Sequence, residues 1–389
     1  MRRADVGTPV LVCGLVAVLA LVPPAVGDPG FYLVGDSAVQ FLPTWFHLGE
    51  TVRSGIWPPW LDPGAWAGGN YAAEALFGIY NPLHVANWVL VSLLPDLAVA
   101  AVVVKAEFLA LLALGVYLLA REYGAARWAA AVVGVALPFS GYTLYWDAAS
   151  WASGLLAFSY TPHVWWSLRK VARGRLNPVW AVLVGALAVT QGNPYGVVGV
   201  VAVGLALTVE TALRRDRQAL LCRLLPTGVC IAAVVPLVFL PLLSTTPLTH
   251  RSALGGLHFG DFMAPDPTEL ALLSTPTYLP DVDTVVDPMR VPATYLAWFV
   301  LPLLPWLRWQ ALRTGWRERS GLLVFTGFYL LLTLGPTKLW MFRWPLRLVE
   351  YLHLGVLVAL AVALTAGWRT DQHRARAVAS VGLVLFGGG

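Results

Sequence analysis

Apolar runs approaching the length of a bilayer crossing recur along this chain, and arginine punctuates every second gap between them. A helix needs about 20 apolar residues to cross the hydrocarbon core. Runs at 9–26, 97–119, 128–144, 151–168, 178–191, 195–213, 224–243, 293–308, 320–335 and 350–367 predict ten spans, with an eleventh beginning near 377. Charged residues make up only 12% of the chain, whereas a soluble domain carries about a quarter. The expectation is an all-α polytopic membrane protein, a single domain over 1–389 whose core is helix against helix and helix against lipid.

The arginines predict an orientation, because Lys and Arg accumulate in cytoplasmic loops. With the N-terminus in the cytoplasm, that side receives Arg2, Arg3, Arg121, Arg127, Arg169, Lys170, Arg173 and Arg175. It also receives Arg214, Arg215, Arg217, Arg223, Arg308, Arg313, Arg317, Arg319, Arg369, Arg374 and Arg376, so 19 of the 26 Lys and Arg residues fall there. Arg53, Arg251, Arg290, Lys338, Arg343 and Arg347 fall outside, and Lys105 is left inside a span. The net charge of +5 is therefore a topology signal, not a nucleic-acid footprint. Met1 to Val26 reads as a retained signal anchor, because its apolar run is long for a cleaved signal and more spans follow. The chain stops at Gly387-Gly388-Gly389 partway through an apolar run, which predicts a C-terminally truncated domain. Cys13, Cys222 and Cys230 form no Cys-x-x-Cys pair, so neither a thiolate metal site nor a disulfide framework is indicated.

Two outer loops are expected to be long, 27–96 and 244–292. The first is rich in Trp, Pro and Gly. Phe41, Leu42, Trp45, Phe46, Leu48 and Val52 predict an interfacial helix over 37–53, with Pro43 as its kink or its first turn. A second interfacial or re-entrant segment is expected over 78–92. No Walker loop, His-Glu-x-x-His, Gly-x-Ser-x-Gly or dinucleotide fingerprint is present, so nucleotide hydrolysis is not expected.

The candidate chemistry lies on the outer side. Asp36, just past the first span, has three roles open to it: general base at the membrane surface, holder of a divalent cation (Mg or Mn), or N-cap of the helix that follows. Gln40 lies one turn further on. His47 and Glu50 are also one turn apart and suit a solvated helix face. Lys338, Arg343 and Arg347 fall within ten residues of one another, against the positive-inside bias. They suit a phosphate, lipid headgroups, or an Arg347–Glu350 ion pair. Asp147 beside Tyr145 and Trp146 has the chemistry of sugar binding, whereas His163 and Asn193 interrupt apolar helices and suit polar packing. Lys105 and Glu107 cannot face each other, so each needs its own partner.

Gly35-Asp36-x-x-x-Gln40-x-x-Pro43, Arg53-x-Gly55, Trp60, Gly68-Gly69-Asn70 and Tyr80-Asn81-Pro82-Leu83 resemble, in order, the YfhO-like family of multi-spanning bacterial proteins with the GT-C glycosyltransferase fold. Phe342-Arg343-Trp344-Pro345-Leu346-Arg347 is similar to that family's Phe-Arg-x-Pro-x-Arg-Phe motif. Gln191-Gly192-Asn193-Pro194 stands where the family has Gly-His-Pro-Gln, without its histidine. The resemblance implies a GT-C-like bundle in the bacterial cytoplasmic membrane, working on its outer face. The implied reaction moves a sugar from a polyprenyl-phosphate carrier to a cell-envelope glycan or lipid acceptor. Asp36 matches the position of the working acid. Arg343, Arg347 and Lys338 would bind the donor phosphate, while Gln40, Asp147, His163, Asn193 and Glu350 line the substrate. A transporter or flippase of a lipid-linked glycan, or a non-catalytic scaffold subunit, are the other expectations. A flippase predicts functional charges near the midplane, which Lys105 and Glu107 supply weakly.

Overall fold

The computed structural model describes residues 6–65, 69–248, 263–280, 290–339 and 342–388. Trp66, Gly68, Arg251 and the stretches 249–262 and 281–289 of the expected loop 244–292 lie outside them, as does the side chain of Lys338. The described residues form an all-α bundle of helices: α1 (Gly7–Leu19), α2 (Leu42–Arg53), α3 (Pro82–Leu93), α4 (Leu97–Glu122), α5 (Arg127–Ala136), α6 (Ala152–Ala172) and α7 (Pro178–Thr190). They continue with α8 (Pro194–Ala212), α9 (Arg217–Ala232), α10 (Val235–Thr245), α11 (Trp316–Thr333), α12 (Val349–Thr365) and α13 (His373–Gly388). A single two-residue hairpin, β1 (Lys338–Leu339) and β2 (Phe342–Arg343), pairs antiparallel with Lys338 opposite Arg343.

Helix starts follow from local chemistry. Asn81, Asn177 and Asn193 each precede a proline, and each side chain accepts a backbone N–H of the helix it opens. Asparagine satisfies an orphan donor there, and proline at the first helical position forfeits an N–H that had no partner. Asp96 caps α4 in the same way, accepting from the Ala98 amide.

Among the described residues, five helical stretches are long and apolar enough to cross a membrane: 7–27, 97–122, 194–212, 217–245 and 345–365. A sixth is the pair 127–139 and 142–148, bent by 43°. This is fewer than the ten or eleven spans expected, for local reasons. Pro292, Pro302 and Pro305 break the run 293–308, which holds only the short helical turns Val300–Leu303 and Leu304–Trp306. α7 has only 13 residues. α6 is long, but Ser, His and Arg side chains dilute its apolar character, and α11 opens on Arg317, Glu318 and Arg319.

α4, α6, α8, α11, α12 and α5 follow one another by contact into a closed ring. α12 also touches α4 and α6, and nearly all of its residues are buried, so it is an interior helix. α1 lies outside the ring against α4 and α5. Its Val10, Leu11, Leu15 and Val18 are exposed, the face a lipid-facing helix presents. The segment 37–53 divides into a wide π turn (Ser37–Phe41) and α2, with Pro43 in the first turn of α2. α2 lies along α3, and a side chain on Gly49 would fall 2.1 Å from the Trp88 carbonyl, so only glycine permits the approach.

Candidate functional site

Two π turns, far apart in sequence, meet at one end of the bundle. Ser37 opens the first, and its amide donates to the Ser150 carbonyl at 2.7 Å, just after the second turn (Tyr142–Ala148). Such wide turns cost hydrogen-bond regularity and recur at functional positions. Between them lies Lys105 of α4, which is fully buried. Its ammonium donates to Ser37 Oγ at 3.0 Å and to the Ala148 carbonyl. As expected, Lys105 and Glu107 have separate partners, and Glu107 takes a hydrogen bond from Asn87.

Asp147, on the second π turn, is wholly buried, and its carboxylate oxygens find no hydrogen-bond donor among the described residues. It is set against the start of α6, where a side chain on Gly154 would come within 2.5 Å of Asp147 Oδ2. Its electrostatic neighbours are Arg347, Glu350 and Lys105. Glu350, in the first turn of α12, is also buried and accepts from Thr143 Oγ1 at 3.3 Å. Two acids and two bases thus converge with no formal net charge.

Arg347 faces outward from this cluster. Its guanidinium carbon lies 3.9 Å from the centre of the Trp151 ring and 4.2 Å from that of Trp344, with Tyr195 at 5.7 Å. No hydrogen-bond acceptor among the described residues reaches it, and its Nε is buried without a partner. The expected alternative of an Arg347–Glu350 ion pair does not form: Glu350 takes the Thr143 hydroxyl, and Arg347 has Asp147 only as an electrostatic neighbour. Arg343 is exposed and lies 4.3 Å from the Trp344 ring centre. Its backbone is pinned on both sides by Tyr195, whose hydroxyl accepts from the Arg343 amide at 3.2 Å and donates to the Arg343 carbonyl. Trp344 between the two arginines has φ +65°, an outlier for a bulky residue that the surrounding packing must hold in place. Nothing in the sequence pattern signals it.

The other candidates fall into place around this cluster. Asp36 stands at the head of the first π turn with its side chain exposed and without a capping bond, so the N-cap role is not the one it plays here. Its neighbour Ser37, not Asp36 itself, reaches into the charged cluster. Gln40 is half-buried one turn on. Asn193 is a structural cap: it accepts from the Tyr195 amide at 2.9 Å and donates to Ser153 Oγ at 3.0 Å. It thereby sets Tyr195, which touches both arginines. His163 is not part of the cluster. Nine residues beyond Gly154 on α6, it lies ~13 Å further along the axis. There its Nε2 is 2.8 Å from the Leu111 carbonyl.

His47 pairs with Asp62, 2.7 Å away, and not with Glu50. The hydrogen bond from His47, reinforced by the Gly64 amide, holds the Asp62 carboxyl below its ordinary range. The far end of the bundle carries a second network. Buried Arg169 bonds Glu210 Oε1 at 2.8 Å, the Glu122 carbonyl at 2.6 Å and the Glu318 carbonyl at 2.8 Å, with its guanidinium 3.7 Å from the Tyr123 ring centre. That network ties α4, α6, α8 and α11 together.

No group of three His, Cys, Asp or Glu side chains among the described residues is arranged to hold a metal. Asp36 is a single carboxylate, which fits a divalent cation only when substrate phosphate completes the ligand set. No protein-family model matches the chain, and no curated protein matches it.

Proposed function

We propose that this protein is a membrane glycosyltransferase of GT-C type. It would move a sugar from a polyprenyl-phosphate carrier to a cell-envelope glycan or lipid acceptor on the outer face of the bacterial cytoplasmic membrane. The observation that carries the reading is Arg347: a cation stacked between two tryptophans whose planar fork of donors has no acceptor among the described residues. That fork matches a phosphate in geometry and charge. Exposed Arg343 stands on the same short segment, and Lys338 is its partner across the hairpin. The aromatic surroundings suit a sugar and a lipid-borne donor. The resemblance to the YfhO-like family, centred on Asp36, agrees with this arrangement.

In this reading the donor phosphate binds at Arg347 and Arg343, which neutralise the charge that grows on it as it leaves. Asp36, exposed and uncapped, accepts the proton of the acceptor hydroxyl. The acceptor oxygen attacks the anomeric carbon with inversion, and the bond from that carbon to the phosphate oxygen breaks. Polyprenyl phosphate departs with the bonding pair. Trp151 and Trp344 hold the Arg347 guanidinium in place by packing, with Asp147 as its electrostatic neighbour. A divalent cation, Mg or Mn, would enter with the donor phosphate.

The test is transfer in proteoliposomes from a polyprenyl-phosphate sugar to a lipid acceptor, followed by mass spectrometry of the product. Asp36→Asn should lower turnover about 100- to 10,000-fold, the span of general-base effects, with the protein still folded. Full transfer activity in a folded Asp36→Asn protein would remove Asp36 from the chemistry. Unaltered donor appearing on the opposite leaflet, with no new glycosidic bond, would replace the reading with a flippase. The buried charges Lys105, Asp147 and Glu350 are what favour that second reading.

A further inference from the structure

Lys105 is an ammonium buried inside a bundle of apolar helices, and the proposed chemistry does not use it. A buried cation is kept only where its partners need it, since isolation in a water-poor interior is costly. Its partners are three different kinds of acceptor on two separate chain segments. One is the hydroxyl of Ser37, at 3.0 Å. Another is the Ala148 carbonyl. The third is the charge of Asp147. An ammonium on a long flexible stem donates to the first two and leaves its charge beside the third.

The Ser37 contact matters because of what precedes it in the chain. Asp36 is exposed, uncapped and has no hydrogen bond of its own to the second π turn, so its place is set by its neighbours. Gly35 on one side has φ +52°, and a side chain there would come within 2.9 Å of Ser150 Cβ. Ser37 on the other side is held twice, by its amide to Ser150 and by its hydroxyl to Lys105. From this geometry we infer that Lys105 is a positioning residue, fastening the turn that carries Asp36 to the segment that carries Asp147 and so to Arg347. The acid and the anion-binding arginine, on loops remote in sequence, are registered through one buried ammonium. The assignment to catalysis rests on the transferase reading, but the fastening itself does not.

The experiment therefore has two arms. In the first, hydrogen exchange is measured in detergent for the wild type, Lys105→Met and Ser37→Ala. Methionine keeps an unbranched stem of similar length, and Ser37→Ala removes only the hydroxyl acceptor. Both variants should expose the Ser37 amide to exchange at least about tenfold faster, the loss expected for a hydrogen bond to a charged group. The α6 and α12 amides should keep their protection. Unchanged Ser37 protection in both variants would overturn the inference, as would equal loss of protection throughout α4, α6 and α12, which marks general unfolding. In the second arm, steady-state transfer by Lys105→Met should show a fall in kcat of at least about tenfold with donor KM within about twofold of the wild type, because Asp36 moves while Arg347 still binds. A rise in donor KM with kcat unchanged would refute positioning of Asp36. If the wild type shows no transfer while Ser37 protection still falls in the variants, the transferase reading fails and the fastening stands.

Discussion

Removal of the Arg169 side chain should destabilise the bundle by about 3 kcal/mol, at the lower end of the cost of breaking a buried ion pair. The figure follows from what is left behind. Arg169 and Glu210 expose only 3% and 2% of their side chains, so solvent screens little of their attraction. Arg169→Met would strand the Glu122 and Glu318 carbonyls that its two outer nitrogens now satisfy. It would also remove the cation from the face of Tyr123. The loss is moderated because Glu210 keeps Arg173 at 3.2 Å and the Tyr123 hydroxyl at 3.0 Å, and Glu122 keeps Arg175. Unfolding in mixed micelles by added SDS, followed by tryptophan fluorescence, gives the difference directly. Arg214→Met is the control: its partner Asp216 is 55% exposed, and screened pairs of that kind are worth no more than about 1 kcal/mol. Adding Glu210→Gln to Arg169→Met should recover part of the loss, because residues in one network are coupled. A change below about 1 kcal/mol for Arg169→Met, equal to the control, would refute the claim that this network ties the four helices.

Gly154→Ala should cost about 1–3 kcal/mol by overpacking against Asp147, read in the same unfolding assay; a neutral substitution would mean that the carboxylate does not occupy that space. His47→Leu should return the Asp62 carboxyl to its ordinary range, read by NMR titration of that carboxylate. Because the folded value is depressed, the contact is fully formed above the ordinary carboxylate value. It is lost as pH falls below that value and through the folded one, so proteolysis of the 57–65 loop should rise in that acid window in the wild type. An unchanged Asp62 titration in His47→Leu would contradict the pairing.

Helical class was legible from the apolar runs alone, because twenty apolar residues in a row have few other fates. Helix starts were equally open to reading wherever asparagine precedes proline. The run 293–308 misled because its mean apolarity hides Pro302 and Pro305, with Pro292 just before it, and the backbone decides before the side chains do. Within the site, Arg343 and Arg347 could be singled out as cations on the wrong side of an expected topology, and Asp147 as an acid among aromatics. That Asp147 and the Arg347–Glu350 segment would meet Lys105 could not be read, because the three elements are distant in sequence and only the packing of the bundle brings them together. His47 shows the same limit at short range: Glu50 is its neighbour by helical spacing, yet the loop folds back and supplies Asp62. The Arg347–Glu350 expectation failed similarly, since Thr143 from another segment takes the carboxylate first.

The two ends of the bundle are built from opposite kinds of contact, and this has a mechanical consequence. At the Arg169 end, four helices are bolted by short bonds from one guanidinium to a carboxylate and two backbone carbonyls. At the Arg347 end, the cation rests on ring faces, the Asp147 carboxylate lacks a donor among the described residues, and both segments that meet there are loosely wound. Stiffness is therefore unequal along the bundle: under the same strain the ion-paired end resists as one block, and displacement grows toward the end where rings and wide turns meet.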